Sequence, residues 1–264
     1  MRPHTHYIPP MQTVEPLDRP QLRGTAQGAI GLALALAIAG AWLGLHIYAM
    51  FVFELSWSSL PLALAMAAVL CWLSVGVFIV SHDAMHGSLL PGGGRANGAI
   101  GGALLFLYAG FSWARMRDAH FAHHRYPGSA RDPDFSTSHP DRFWPWYGQF
   151  LRRYFGWQSI AFVSTVVLTY WLVFDVRIEQ IVLLYGLPAI ASSLQLFYFG
   201  TFRPHRHGDD AFADRHRARS DRFGAMTSLA SCFHFGYHHE HHLAPHVPWW
   251  KLPAKRRELS DEHA

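Results

Sequence analysis

LPLALAMAAVLCWLSVGVFIVSHDAMHG, residues 60–87, decides how the rest of the chain is read. Leu60 to Ser81 holds no Asp, Glu, Lys or Arg, and a bilayer-crossing helix needs roughly 20 such residues. His82 and His86 follow at once, four apart, so on a continuing helix both point to one side. A membrane span that ends in paired imidazoles sets two expectations, an all-α integral membrane protein and chemistry at one membrane face.

Three further apolar runs extend the pattern. Gln27 to Phe53 is uncharged, and Trp157 to Phe174 and Ile181 to Phe202 are joined by the short polar link Asp175 to Gln180, which predicts an antiparallel hairpin. The expected spans are about 27–53, 60–81, 157–174 and 181–202, with a kink at Pro188 of a kind that membrane helices tolerate. They form one membrane domain over 25–253, between a polar leader 1–24 and a polar tail 254–264. LALALAIAGAW, in the first run, has the small-residue spacing of a secretory cleavage site. A proline-rich leader of more than twenty residues precedes it, however, and the run outlasts a signal sequence, so it is read as a retained span.

The formal charge of +4 does not point to nucleic acid, because the cations flank spans and form no basic stripe. Arg19 and Arg23 precede the first span; Arg95, Arg115, Arg117, Arg125, Arg131, Arg152 and Arg153 follow the second; Arg203, Arg206 and Arg215 follow the last. The two short links, around Glu54 and Arg177, hold one cation between them, so the positive-inside rule places both termini and the central segment in the cytoplasm. Cys71 falls in a span and Cys232 on the cytoplasmic side, where neither invites a disulfide.

Histidines recur beside these spans. HFAHH carries His120, His123 and His124, and HHEHH repeats the offsets with His238, His241 and His242. Eight neutral imidazoles converging at one face suit iron, copper or zinc and not magnesium or calcium, which prefer oxygen. One ion cannot use eight ligands, so two ions are the natural count, and the carboxylate pattern of soluble di-iron bundles is missing.

HxxxH, HxxHH and HxxHH after apolar spans resemble the membrane fatty acid desaturase and hydroxylase superfamily. Within it, HDAMHGSLLPG, HHRYPGSARDPDF, FYFGTFRPHRHG and FGYHHEHHLAPHVPWWKLP resemble the bacterial β-carotene 4-ketolases, from about Ser81 to Pro253. The resemblance implies a di-iron oxygenase with His82, His86, His120, His123, His124, His238, His241 and His242 as ligands to two iron ions. It implies O2 as co-substrate and a β-ring methylene converted to a ketone, giving canthaxanthin- or astaxanthin-type products, in a bacterial inner membrane. Related enzymes usually add a ligand near the end of the fourth span, which here leaves His205 as a further candidate; His234, one turn before His238, is another. Electrons must come from outside, since the chain has neither a GxGxxG fingerprint nor cysteines for an iron–sulfur cluster, and a ferredoxin-type donor on the basic face fits.

Asn97 to Trp113 is also uncharged, yet a crossing there would set His82 and His120 about 30 Å apart. This glycine-rich segment is therefore expected to be re-entrant or interfacial, leaving four true spans capped by the cytoplasmic histidines. Asp83, Asp118 and Glu240 stand beside ligand candidates, where a carboxylate commonly orients an imidazole, although helix capping accounts equally for Asp83. Arg131, Asp132 and Asp134 in RDPDF read either as a functional clasp or as a turn. DRFWPWYGQFLRRYFGW, residues 141–157, reads as an interfacial helix or as the mouth for a lipid-soluble substrate.

His46, mid-span, reads as a hydrogen-bonded bundle residue; His4, His6, His139, His216 and His263 read as solvent-facing, and His207, His239 and His246 as neighbours of the boxes. The same boxes serve a carotenoid hydroxylase or a fatty acid desaturase. A zinc hydrolase needs only three protein ligands and leaves most of the histidines unexplained, and a transporter places its ionisable residues near the midplane.

Overall fold

The computed structural model describes residues 23–208 and 211–261, with side chains from Ala26 onward. His4, His6, His263 and most of the leader lie outside the described residues. Among the described residues every regular element is helical. In chain order these are α1 (Arg23–Phe51), α2 (Leu60–His86), α3 (Gly94–Ala109), α4 (Trp113–Arg125), α5 (Phe143–Tyr154), α6 (Trp157–Leu172), α7 (Ile178–His205), α8 (Ala225–Cys232), α9 (His238–Leu243) and α10 (Leu252–Asp261).

Among the described residues three helices are long and apolar enough to cross a membrane: Ala26–Phe51 within α1, then α2 and α7. The number rises to five if each of two bent pairs, α3 with α4 (103°) and α5 with α6 (84°), counts as one crossing. In the run expected at 157–174 the helix holds 16 residues, roughly 24 Å, and meets α5 at the 84° bend. Its start is fixed by the extended backbone at Gly156 (φ −88°, ψ −171°).

α2 is the central element, packed against α1, α3 and α7. Val75, Val77 and Ile79 of α2 form one core with Ala35 and Ile38 of α1 and with Phe233 and Phe235. A second core at the other end gathers Ala49, Met50, Ala63, Leu70, Val176 and Leu184. There the side-chain amide of Gln180 donates to the Ala49 and Phe53 carbonyls (2.6 and 2.9 Å) and Arg177 donates to Leu55 O (3.0 Å), so the two short links share one end of the bundle. α2 has 27 residues, which sets His86 roughly 40 Å from that end.

α7 passes Pro188 and Pro204 without a break. Each proline directly follows a π turn, Val182–Gly186 and Tyr198–Phe202, closed by Leu187 N–H to Val182 O and Arg203 N–H to Tyr198 O. A proline ring clashes with the carbonyl four residues back, and the widened turn relieves that clash. The helix thereby continues to His205, where a simple kink at Pro188 was expected.

α3 begins beside the end of α2, where Asn97 bridges Leu90 through both its amide groups (3.1 and 2.7 Å). Gly110, in the left-handed region at φ +67°, lets the chain turn through 103° into α4. Ser112 caps α4, which returns its histidines to the end of α2.

Candidate metal centre

The three boxes meet, but each three-histidine box splits. On α4 and α9 the residues four apart serve one group and the remaining residue the other, because a helical step of three or four places side chains on adjacent and not identical lines. His82, His86, His120, His124 and His241 form one set, and His123, His205, His238 and His242 the second. Within each set the candidate ligand atoms lie within 4.8 Å of one another, close enough for a single ion at about 2.1 Å from each nitrogen once the rings adjust. The stacked rings of His124 and His242 (4.2 Å) join the two sets.

These contacts make little sense for imidazoles alone. Nε2 faces Nε2 in three pairs, His86 with His120 (2.6 Å), His124 with His241 (3.0 Å) and His238 with His242 (3.1 Å). Both ring nitrogens of His82 and Nε2 of His205 are buried without a partner, and an unmade hydrogen bond costs about 1–3 kcal/mol each. Burial, reinforced by neighbouring rings, pushes His120, His124, His238, His241 and His242 well below the usual imidazole pKa, so they stay neutral and keep lone pairs to donate. Neither set contains a carboxylate. The donor chemistry therefore fits a transition metal such as iron and not a hard oxygen-seeking cation.

Outer contacts fix two of the rings. His123 Nδ1–H donates to both oxygens of Asp132 (3.0 and 2.9 Å), which also accepts from the backbone N–H of Gly128 and Asp134 (2.8 and 2.9 Å). Burial alone pushes His123 down; the Asp132 charge outweighs it and raises the pKa. His205 Nδ1–H donates to Arg217 O (2.7 Å), leaving Nε2 turned towards His238 and His242. Carboxylate or carbonyl support of this kind fixes the tautomer of a ligating imidazole.

The other candidates go elsewhere. His234 belongs to neither set and stacks on Tyr237 and Trp249. Asp83 accepts the Trp249 N–H (3.0 Å) and lies 3.7 Å from His82 Nδ1, beyond hydrogen-bond length; Asp118 is exposed; Glu240 pairs with Ser220 and Arg256. Asp83 and Glu240 thus fasten neighbouring segments together, and the orienting carboxylate is Asp132. Its signal in the sequence is RDPDF, where Asp132 closes the turn through the Gly128 and Asp134 N–H groups and holds His123. His46 Nε2 hydrogen-bonds the Tyr170 hydroxyl (2.8 Å), as a bundle residue does, and His239 pairs with Asp214.

Against the imidazoles lies a cavity of about 60 Å³ lined by Phe78, Met85, Met116, Phe150, Leu196 and Phe235 on its apolar side and by His82, His120, His123 and His238 on the other. Asp134 and Tyr154 complete the wall. The amphipathic stretch 141–157 therefore contributes to the pocket through α5.

A family model for fatty acid desaturases matches residues 55–174 and 156–263. The chain belongs to the fatty acid desaturase family. Among the relatives of this chain are two proteins named beta-carotene ketolase: one from Paracoccus sp. strain PC1, 48% identical over 234 residues, and one from Paracoccus sp. strain N81106 / MBIC 01143, 49% identical over 229. These alignments cover 88% and 86% of this chain and 95% and 93% of the relatives. Beta-carotene 4-ketolase 3 of Haematococcus lacustris is 31% identical over 260 residues, covering 88% of this chain and 80% of its own. This desaturase-family chain is an oxidoreductase with histidine boxes and apolar membrane helices.

Proposed function

We propose that the protein is a non-haem di-iron β-carotene ketolase of a bacterial inner membrane, which converts the C4 methylene of a β-ring to a ketone. The reading is carried by one observation: two imidazole sets adjoin an apolar cavity in a chain nearly half identical to beta-carotene ketolases over most of its length. His82, His86, His120, His124 and His241 hold one iron; His123, His205, His238 and His242 hold the other. Bound iron supplies the activation of O2, and the chemistry is then the metal's.

The protein's own part is positioning. The apolar wall seats the ring and excludes water, while the imidazole wall presents the reacting carbon to the metal side. Each of two successive hydroxylations uses one O2, two electrons and two protons, replaces a C–H bond by C–OH and releases one water. The geminal diol then loses water to leave the ketone. The electrons come from an external, ferredoxin-type donor at the basic face. In the membrane, α1, α2, α6 and α7 span, α3 and α4 form a re-entrant or interfacial turn, and the histidines and both termini are cytoplasmic. The return of His120 to His86 supports this arrangement.

Pigment analysis of cells that already make β-carotene tests the reading, with the parent chain and His124→Ala in parallel. Keto products from the parent alone are expected. Unchanged β-carotene with iron-loaded, well-expressed parent would reject the ketolase assignment in favour of a hydroxylase or acyl desaturase.

A further inference from the structure

Ketone formation makes water inside a cavity whose apolar wall gives it no partner. Each hydroxylation releases one water and the geminal diol another, and Phe78, Met85, Leu196 and Phe235 offer none of them a hydrogen bond. Water leaves such a space where polar groups receive it. A second cavity, of about 20 Å³, meets the first at Met116 and Tyr154, which line both. It lies where the two bent helix pairs face each other. Gly110, Ser112 and Arg115 come from the bend between α3 and α4, and Gly156, Gln158 and Ser159 from the bend between α5 and α6.

Size and lining both suit water. A space of roughly 10–15 Å³ holds one molecule where two to four polar groups face it. Ser159 is 2% exposed, and its hydroxyl has no hydrogen-bond partner among the described residues. An unpaired buried hydroxyl is costly, and a water in the chamber pairs it. The Ser112 hydroxyl, which accepts the Arg115 N–H (3.5 Å), keeps its own proton to donate, and the Tyr154 hydroxyl, which donates to Asp134, keeps an acceptor site. Arg115 and Gln158 are exposed and carry the chamber to the surface, with Arg115 donating to Arg153 O across the mouth (3.3 Å). A guanidinium there faces water or headgroups and not acyl chains. The same chamber is too small and too polar to pass an apolar pigment.

We propose that this chamber is a water passage, which drains the reaction cavity between Met116 and Tyr154 and out past Arg115. The need for drainage rests on the ketolase reading; the hydration of the chamber is read independently of it.

Hydroxyl-radical footprinting of the iron-loaded protein in bilayer nanodiscs tests it, because radicals formed from bound water convert an adjacent methionine to its sulfoxide. Met85 and Met116 are 4% and 7% exposed and both line the reaction cavity, but only Met116 reaches the chamber. Met116 is expected to oxidise severalfold faster than Met85, and equal rates would overturn the assignment. Ser159→Phe fills the chamber and should bring Met116 down to the Met85 rate. Ser159→Ala keeps the space, removes one partner and should fall between. A Met116 rate unmoved by Ser159→Phe would overturn the passage; if that variant loses its iron, a parental rate in Ser159→Ala does so instead. In cells that make β-carotene, Ser159→Phe is expected to form severalfold less ketone, with iron and bound pigment as in the parent. Ketone at the parental rate would remove the drainage role, and a loss of bound pigment would make the chamber a pigment entry. Fast Met116 oxidation with no ketone from the parent would retain the hydrated chamber and reject the ketolase reading. Ketone formation with equal methionine rates would do the reverse.

Discussion

Asp132 shows how much one side chain outside the imidazole sets can control. Both oxygens of its carboxylate share the one His123 Nδ1–H, and the group accepts from two backbone N–H groups besides. Asparagine retains one carbonyl oxygen, but its NH2 group then faces N–H donors and the charge is lost. Asp132→Asn is expected to lower iron affinity 10- to 100-fold, read by titrating the loaded protein with a chelator; unchanged retention would reduce Asp132 to a turn residue. His205 and His234 make a sharper pair. His205 has a buried, unpartnered Nε2 among His238 and His242, whereas His234 lies between aromatic rings. His205→Ala should lose about half of the bound iron by elemental analysis, and His234→Ala none. Equal loss in the two would remove His205 from the ligand set.

At the scale of the helix, the turn between α3 and α4 decides whether two boxes can meet at all. Gly110 has φ +67°, and a Cβ there would lie 2.6 Å from Phe162 Cβ. One on Gly102 would find Trp113 Cβ at an ordinary 3.5 Å. Left-handed strain in a non-glycine residue costs on the order of 1–3 kcal/mol, to which this clash adds. Gly110→Ala should therefore lower the thermal midpoint and the iron content together, while Gly102→Ala changes neither; identical behaviour would show that the turn survives crowding. The sequence made this turn legible through a distance argument, since a crossing at 97–113 separates His82 from His120. It made the long apolar helices legible through their uncharged runs, and the boxes through spacing. The splitting of each box between two sets was hidden, because offsets of three and four look like one face until α2, α7 and α9 stand around α4. At residues 157–174 hydropathy registers apolar length and not the 84° bend at Gly156. Nothing local to Met85, Met116 or Leu196 announces a cavity that only packing creates.

Over the whole molecule, a nest of buried neutral imidazoles sets a pH limit before metal arrives. The folded pKa values of His120, His124, His238, His241 and His242 lie well below 6.5, so below that pH the unfolded chain binds protons that the folded chain refuses. Stability then falls as pH falls. His123 has the opposite sign, its pKa being raised, but it is one ring against five. Iron-free protein should show a thermal midpoint that drops steadily from pH 7.5 to 5.5, and a flat profile would mean that the rings are solvated. The same arrangement carries a topological prediction. Arg177 reaching Leu55, and Phe51 packed edge-on against Phe174 (5.3 Å), put both short links at one end, roughly the length of α2 from the imidazoles. Four crossings with a cytoplasmic metal centre require the exposed Ser58 to face outward and the exposed Ser138 inward. With Cys71 and Cys232 replaced by alanine, Ser58→Cys should react in intact cells with a membrane-impermeant maleimide. Ser138→Cys should react only after the membrane is opened. Outward labelling of Ser138→Cys would put the bend beyond the bilayer and make α3 with α4 a crossing, and the shared imidazole sets would then need a different membrane placement altogether.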